Sequence, residues 1–426
     1  MGVENQLEDR GRQDILNALS TKVEQFIKKR GGSLDRWHEN LAEARSSIVD
    51  SYTTEEFEKN ITLLLRSLDI SHVGFYREDL ERCSAKMALC ATYMETFMHG
   101  QRRWAFQDVH RGGPADLASI RPGDVLVGVG STRSTPPDHP VFKMGSEVRL
   151  TLEGKNGKVS SKTVVIPHPK QRNQLPFAEP GQVAYGRRIS SEIGCLTVSM
   201  FPGSIGIDVA NEIESQLHLL GKPHRLIVDL RGNGGGGLGF LRLINLLETD
   251  AVPVGTFQQY RSPTESSSGV APYFSVDEVP RSRKELAGLA FRYFGQMVGA
   301  RLRKQALSVQ LRARPRRNRS YDGRVMVLMN RHTASASEML IAHLRARHLA
   351  LLVGEPTAGR VVGGGKSRLP HGYWVVLPTG SYQTSLGETL EGSPISPDVH
   401  IPFEPGSALE GEDRQMEKAI EVVESL

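Results

Sequence analysis

A serine that ends an apolar run and opens a helical one is placed to become a nucleophile, and Ser335 in Thr333-Ala334-Ser335-Ala336-Ser337-Glu338 has that setting. Arg324 to Met329 reads as a strand feeding it, and Ala334 to Arg347 as a helix that begins around it. Backbone N–H groups at a helix N-terminus stabilise negative charge, an oxyanion included. Serine is also a preferred helix cap, so Ser335 reads equally as a cap. A second stretch, Asp229-Leu230-Arg231-Gly232-Asn233-Gly234-Gly235-Gly236-Gly237, follows another apolar run, and its glycines let the backbone bend and present N–H donors to a ligand. It lacks the Lys-Ser/Thr ending of a phosphate-binding P-loop and a Gly-x-Gly-x-x-Gly pattern tied to a downstream acid. A bare flexible turn is its other reading.

These stretches lie in a region where strands and helices alternate. Gly194 to Met200 reads as a strand, Ile205 to Leu220 as a helix, Arg225 to Leu230 as a strand and Leu238 to Leu247 as a helix. After Met329 and its helix come a strand at Ala350 to Val353 and a hairpin from Lys366 through Leu377; Glu410 to Leu426 reads as a closing helix. Alternation of this kind predicts an α/β sandwich. Upstream, apolar residues recur at helical spacing from Ile15 to Leu68, giving a small helical N-terminal domain broken at Gly31-Gly32-Ser33. Between the two regions, Trp104 to Val109, Val125 to Val129, Val148 to Leu152 and Thr163 to Ile166 read as short strands, and Pro176 to Gly181 as a linker.

The chain has 426 residues, of which 38% are hydrophobic and 24% charged, as in an ordinary multidomain globular protein. The net charge of +5 is concentrated between Arg281 and Arg319, above all in Arg312-Ala313-Arg314-Pro315-Arg316-Arg317-Asn318-Arg319. Such a basic segment could meet nucleic acid or acidic lipid, but the expectation is a solvated insertion at about 258–322. No aromatic residues interleave the arginines of that last run as a single-strand stacking platform requires. Three cysteines, Cys83, Cys90 and Cys195, without ligand spacing argue against a disulfide framework or a zinc site. Met1 to Arg30 holds no apolar core fit for a signal peptide or membrane span, and Met1-Gly2-Val3-Glu4-Asn5-Gln6 lacks the hydroxyl residue of a myristoylation signal. The expected compartment is cytoplasmic, without cofactor or metal, and a homo-oligomer is possible.

His110-Arg111-Gly112-Gly113-Pro114-Ala115-Asp116 and Arg121-Pro122-Gly123-Asp124 resemble the Gly-Pro-Ala helix and Pro-Gly-Asp turn of a PDZ domain, over about 86–168. The Gly-Leu-Gly-Phe-like turn that captures a terminal carboxylate in such domains is absent near Ala88 to Gly100. Together with the Ser335 and Gly-rich stretches, Gly354-Glu355-Pro356-Thr357-Ala358-Gly359 and Leu390-Glu391-Gly392-Ser393-Pro394-Ile395-Ser396-Pro397-Asp398 complete a set similar to the carboxy-terminal processing, or tail-specific, peptidase family. The resemblance runs over about 66–402 and is strongest to the branch related to tricorn core and chlamydial-type proteases. It implies a helical N-terminal domain at 1–78, the PDZ-like module, an α/β peptidase domain at 182–405 and a terminal helix at 406–426.

Carried onto this chain, the resemblance makes Ser335 the nucleophile and the Ala336 amide one oxyanion donor, with Gly235 or Gly236 supplying the second. Lysine-dependent members place their base twenty-five residues after the serine, where this chain has Arg360. A guanidinium stays charged near neutrality and cannot accept the proton. Leu68-Asp69-Ile70-Ser71-His72-Val73-Gly74-Phe75-Tyr76 instead resembles the segment whose histidine is the base in the Ser/His/Glu branch, with one residue more than usual between Asp69 and His72. His72 then takes and returns the proton, and Glu391 orients it. Lys366, His332 and His371 are rival bases, Glu388 a rival acid and Ser337 a rival nucleophile. The implied activity is a serine endopeptidase acting on extended or unfolded polypeptide. The other reading is an inactive member kept as a peptide- or ligand-binding scaffold.

Overall fold

A computed structural model describes residues 8–77, 82–154, 157–168, 182–260, 272–315 and 321–425. The expected linker at 176–181 lies outside the described residues. The architecture is α/β, and the described residues form three six-stranded sheets and one two-stranded sheet.

The central sheet runs Ala184–Arg188, Ile193–Val198, Arg225–Asp229, Arg324–Met329, Leu351–Gly354 and Val399–His400, parallel except for its first pair. Its inner strands are nearly all apolar because both faces are covered. Leu226, Val228, Val325 and Val327 face the helices Ile207–Leu220, Phe240–Leu247 and Ala336–Ala346. Ile227, Met326 and Leu328 face Met416, Ala419 and Val423 of the closing helix Arg414–Glu424. The register sets Asp229 beside Leu328, and Met329 beside Gly354. The Gly-rich stretch, the Ser335 stretch and the Gly354–Gly359 stretch therefore leave three consecutive parallel strands at the same carboxyl edge. Ligands of open α/β sheets bind at that edge.

A second sheet has the order Gly74–Arg77, Tyr373–Thr384, Pro253–Gln259, Ser308–Arg312, Tyr273–Val276, with Val362–Arg368 also paired to Tyr373–Thr384. The first of these strands comes from the N-terminal region and pairs antiparallel with Tyr373–Thr384, Gly74 opposite Val376. The helices Asp9–Arg30, Asp35–Val49 and Thr54–Arg66 pack on the same strand, sharing one core with Leu369, Tyr373, Val375 and Leu377. Residues 261–271 and 316–320 of the segment expected as a basic solvated insertion lie outside the described residues, and the described part is more ordered than expected. It contributes the strands Tyr273–Val276 and Ser308–Arg312 and the helix Arg283–Leu302 between them.

The third sheet takes the order Ala91–Met98, Gln101–Val109, Val125–Val129, Glu147–Glu153, Val159–Val165, with the short Thr132–Arg133 on Val125–Val129. It wraps a separate core containing Tyr93, Phe106, Ile120, Leu126 and Leu150. This unit touches the central sheet's edge through polar contacts: Gln107 Nε2 donates to Glu355 Oε2 at 2.6 Å, and Asn330 Nδ2 to Asp108 Oδ1 at 2.9 Å. Among the described residues no helix is long and apolar enough to cross a membrane.

Candidate active site

Ser335 stands between Arg324–Met329 and the helix Ala336–Ala346 with φ 57 and ψ −118, a region that costs a non-glycine residue about 1–3 kcal/mol. Glu338 holds it there. Its carboxylate accepts four hydrogen bonds: from Ser335 N at 3.0 Å, Arg360 N at 2.9 Å, Gly359 N at 2.7 Å and Thr357 Oγ1 at 2.6 Å. The acid is fully buried, and desolvation raises its pKa against the pull of those donors. Ser335 N also donates to the Arg360 carbonyl at 3.0 Å. The residue at the family lysine position thus grips Ser335 by its backbone, while its guanidinium is exposed.

The glycine-rich loop lies directly against this turn. A Cβ on Gly235 would sit 2.6 Å from Ser335 Cβ and 2.7 Å from Ala336 N, so only glycine leaves the space. The Gly235 amide is itself engaged, donating to Asn233 Oδ1 at 2.8 Å. Among the described residues the amides of Gly236 and Ala336 find no acceptor. Asn233 locks the two loops together, since its carbonyl accepts from Ala334 N at 2.9 Å and its Nδ2 donates to the Val198 carbonyl at 2.8 Å.

His72 and Glu391 meet through a residue the sequence reading did not assign. Glu391 Oε2 accepts from Val361 N at 2.7 Å and from Ser71 Oγ at 2.9 Å, and Oε1 from Ser71 N at 2.8 Å. Ser71 Oγ is in turn 2.8 Å from His72 Nδ1. A hydroxyl has one proton, and a carboxylate can only accept. With that proton directed at Glu391, Nδ1 must carry the hydrogen toward Ser71, so that Nε2 is bare in the neutral imidazole. The one sequence signal for Ser71 was the additional residue between Asp69 and His72. Desolvation lowers the His72 pKa, the Glu391 charge opposes that and the Arg360 charge reinforces it.

Ser335 and His72 are therefore tied to adjacent residues of one segment, Ser335 to the Arg360 carbonyl and His72, through Ser71 and Glu391, to the Val361 amide. The rivals are engaged elsewhere. Lys366 Nζ lies over the Tyr76 ring, 5.9 Å from its centroid, and His371 Nε2 stands 3.8 Å from Asp14. Glu388 faces Arg345 at 3.8 Å, and Ser337 Oγ is buried and donates to the Asn233 carbonyl at 3.3 Å. His332 is desolvated, its pKa lowered to about 4, and its carbonyl accepts from Lys86 Nζ at 3.3 Å. Lys86 also went unassigned in the sequence. It reaches in from the third sheet's unit to lie against Gly234, and desolvation lowers its pKa to about 8. Among the described residues no three His, Cys, Asp or Glu side chains are grouped to hold a metal.

Residues 192–401, which contain both loops and Glu391, match the family described as Peptidase family S41. Over those residues the chain is similar to that peptidase family. A carboxyl-terminal-processing protease from Picosynechococcus sp. is 35% identical over 320 residues, covering 72% of this chain and 63% of that relative. A chloroplastic C-terminal processing peptidase from Tetradesmus obliquus is 24% identical over 68% of this chain and 55% of its own length. The chain thus spans less than two thirds of either relative. Among solved structures, mature CPAF complexed with lactacystin shares the fold, with a TM-score of 0.57, 15% identity and coverage of 97% of this chain and 98% of that one. His72 lies outside the segment matched to the S41 family and reaches its edge sheet through the Gly74–Arg77 strand.

Proposed function

We propose that the protein is a serine endopeptidase of the carboxyl-terminal processing type, acting on extended or unfolded polypeptide through Ser335, His72 and Glu391. The observation that carries this is the Glu391–Ser71–His72 chain, which favours the tautomer whose neutral imidazole has Nε2 bare, the form a general base needs. Ser335 Oγ attacks the scissile carbonyl carbon while Nε2 takes its proton. The resulting imidazolium is offset by the Glu391 charge acting through the Ser71 hydroxyl. The carbonyl oxygen becomes an oxyanion held by the amides of Ala336 and Gly236, while Gly235 contributes space for it. Collapse expels the amine, which receives the proton from Nε2 and leaves an acyl-enzyme on Ser335. Water, deprotonated by the same nitrogen, attacks the ester and releases the new carboxylate and Ser335.

The unit at 86–168 fits the PDZ-like reading through its antiparallel sheet and the helix Pro114–Leu117 that starts after Gly113. Its contacts to Asn330, Glu355 and the His332 carbonyl support a role in placing substrate beside the Ser335 loop. Wild type, Ser335→Ala and His72→Ala are compared for cleavage of an unfolded protein and for labelling by a fluorophosphonate. Wild type is expected to cleave and label, and both variants to lose cleavage. A wild type that does neither supports the inactive-scaffold reading instead.

A further inference from the structure

The helix Arg283–Leu302 has two apolar faces, and the fold uses one of them. Leu289, Tyr293 and Met297 pack on the main core, and Ala300 is buried in it. Phe291, Phe294, Val298 and Leu302 point the other way, 81%, 59%, 39% and 81% exposed. At the helical angle per residue these four fall within an arc of about 80°. Two large aromatic and two aliphatic side chains in one outward stripe are more than the scattered surface apolar residues of an ordinary monomer.

The charge around the stripe has one sign. From Arg283 to Lys304 the chain has six basic residues, all exposed, and the single acid Glu285. Glu285 is spent at the helix start, where its Oε2 accepts from Arg281 N at 2.9 Å. Arg301 falls along one border of the stripe, and Arg292 and Arg303 lie on the helix flank beyond the other, Arg292 over the Phe274 ring at 5.5 Å from its centroid. A second copy of the chain would set two such basic borders face to face. A duplex nucleic acid would use the cations and leave the phenylalanines in water. A bilayer with anionic headgroups satisfies both features, taking Phe and Leu into the acyl boundary and pairing Arg with lipid phosphate and carboxylate.

We propose that the outward face of Arg283–Leu302 is a peripheral docking surface for an anionic membrane, on which the helix lies without crossing. This is independent of the proposed peptidase chemistry. The full chain is sedimented with phosphatidylcholine vesicles, with and without phosphatidylserine, at low and high salt. Binding is expected only with phosphatidylserine and is weakened by salt. The pairs Phe291→Ser/Phe294→Ser and Arg301→Glu/Arg303→Glu should each weaken it by about tenfold or more. Because these side chains are exposed, circular dichroism and melting should stay as in wild type, which separates lost docking from lost folding. The proposal is overturned if the wild type ignores both vesicles or binds them equally. It is also overturned if the Phe pair binds as wild type does, which leaves only general polyanion attraction. A Phe pair that turns a dimer into a monomer on size exclusion, with vesicle binding intact, assigns the stripe to a second copy.

Discussion

Replacing Ser71 with alanine removes one oxygen and separates the relay from the carboxylate itself. Glu391 keeps Val361 N at 2.7 Å and Ser71 N at 2.8 Å, so it stays in place. His72 Nδ1 loses the partner at 2.8 Å that fixes its tautomer. A hydrogen bond coupled to a charged group contributes about 1.5–3 kcal/mol, so kcat/KM should fall roughly 10- to 150-fold. The relay acts on the imidazolium that forms only during reaction, so the loss should appear in kcat with KM little changed. Ser71→Thr retains a hydroxyl and should recover most of the rate. In a double-mutant cycle with Glu391→Gln, the second substitution should cost far less than it does alone, because both interrupt one path. The assay is cleavage of a quenched unfolded polypeptide, with active sites counted by fluorophosphonate. If Ser71→Ala cleaves at the wild-type rate, or its loss simply adds to that of Glu391→Gln, the hydroxyl is not part of the relay.

Gly235→Ala places a Cβ 2.6 Å from the Ala334 carbonyl oxygen at φ +86, and should lower kcat by about 10²- to 10³-fold, read together with the melting curve. Glu338→Ala leaves the amides of Gly359 and Arg360 without acceptors, and Ser335 N with the Arg360 carbonyl alone, and should destabilise the domain by about 3–5 kcal/mol in urea unfolding; wild-type stability would remove Glu338 as the anchor of the Ser335 turn. Because desolvation and Arg360 lower the His72 pKa, the acidic limb of kcat/KM should have its midpoint below about 6.5, activity rising with pH as the imidazole loses its proton. Arg360→Met should move that limb up and Glu391→Gln should move it down; shifts of the opposite sign refute the assignment of the limb to His72. Arg360→Lys should not restore cleavage to His72→Ala, and a rescue would show that position 360 can hold a working base.

The elements that carry Ser335 were legible because each is locally consistent. Arg324–Met329 was read to the residue, since a parallel strand buried on both faces is a continuous apolar run with no periodicity to misjudge. The helix Arg283–Leu302 was not legible for the opposite reason. Its inward Leu289, Tyr293 and Met297 and outward Phe291, Phe294 and Val298 occupy opposing faces, so the single apolar stripe that marks a helix is lost and the arginines dominate the reading. The strand Ala91–Met98 escaped notice because Met94, Glu95 and Met98 dilute its β-formers. For the site, family motifs supplied Ser335, His72 and Glu391, but spacing could not show that Ser71 joins the last two across 320 positions. That link exists because Gly74–Arg77 adds to Tyr373–Thr384 and places Ser71 and His72 just before the first paired residue, while Glu391 is fixed by Val361 next to Arg360. In the proposed mechanism, the placing of His72 as base next to the Arg360–Val361 segment therefore depends on one strand pairing. A substitution that weakens that pairing, far from Ser335, should remove the base while leaving the nucleophile and its amides assembled.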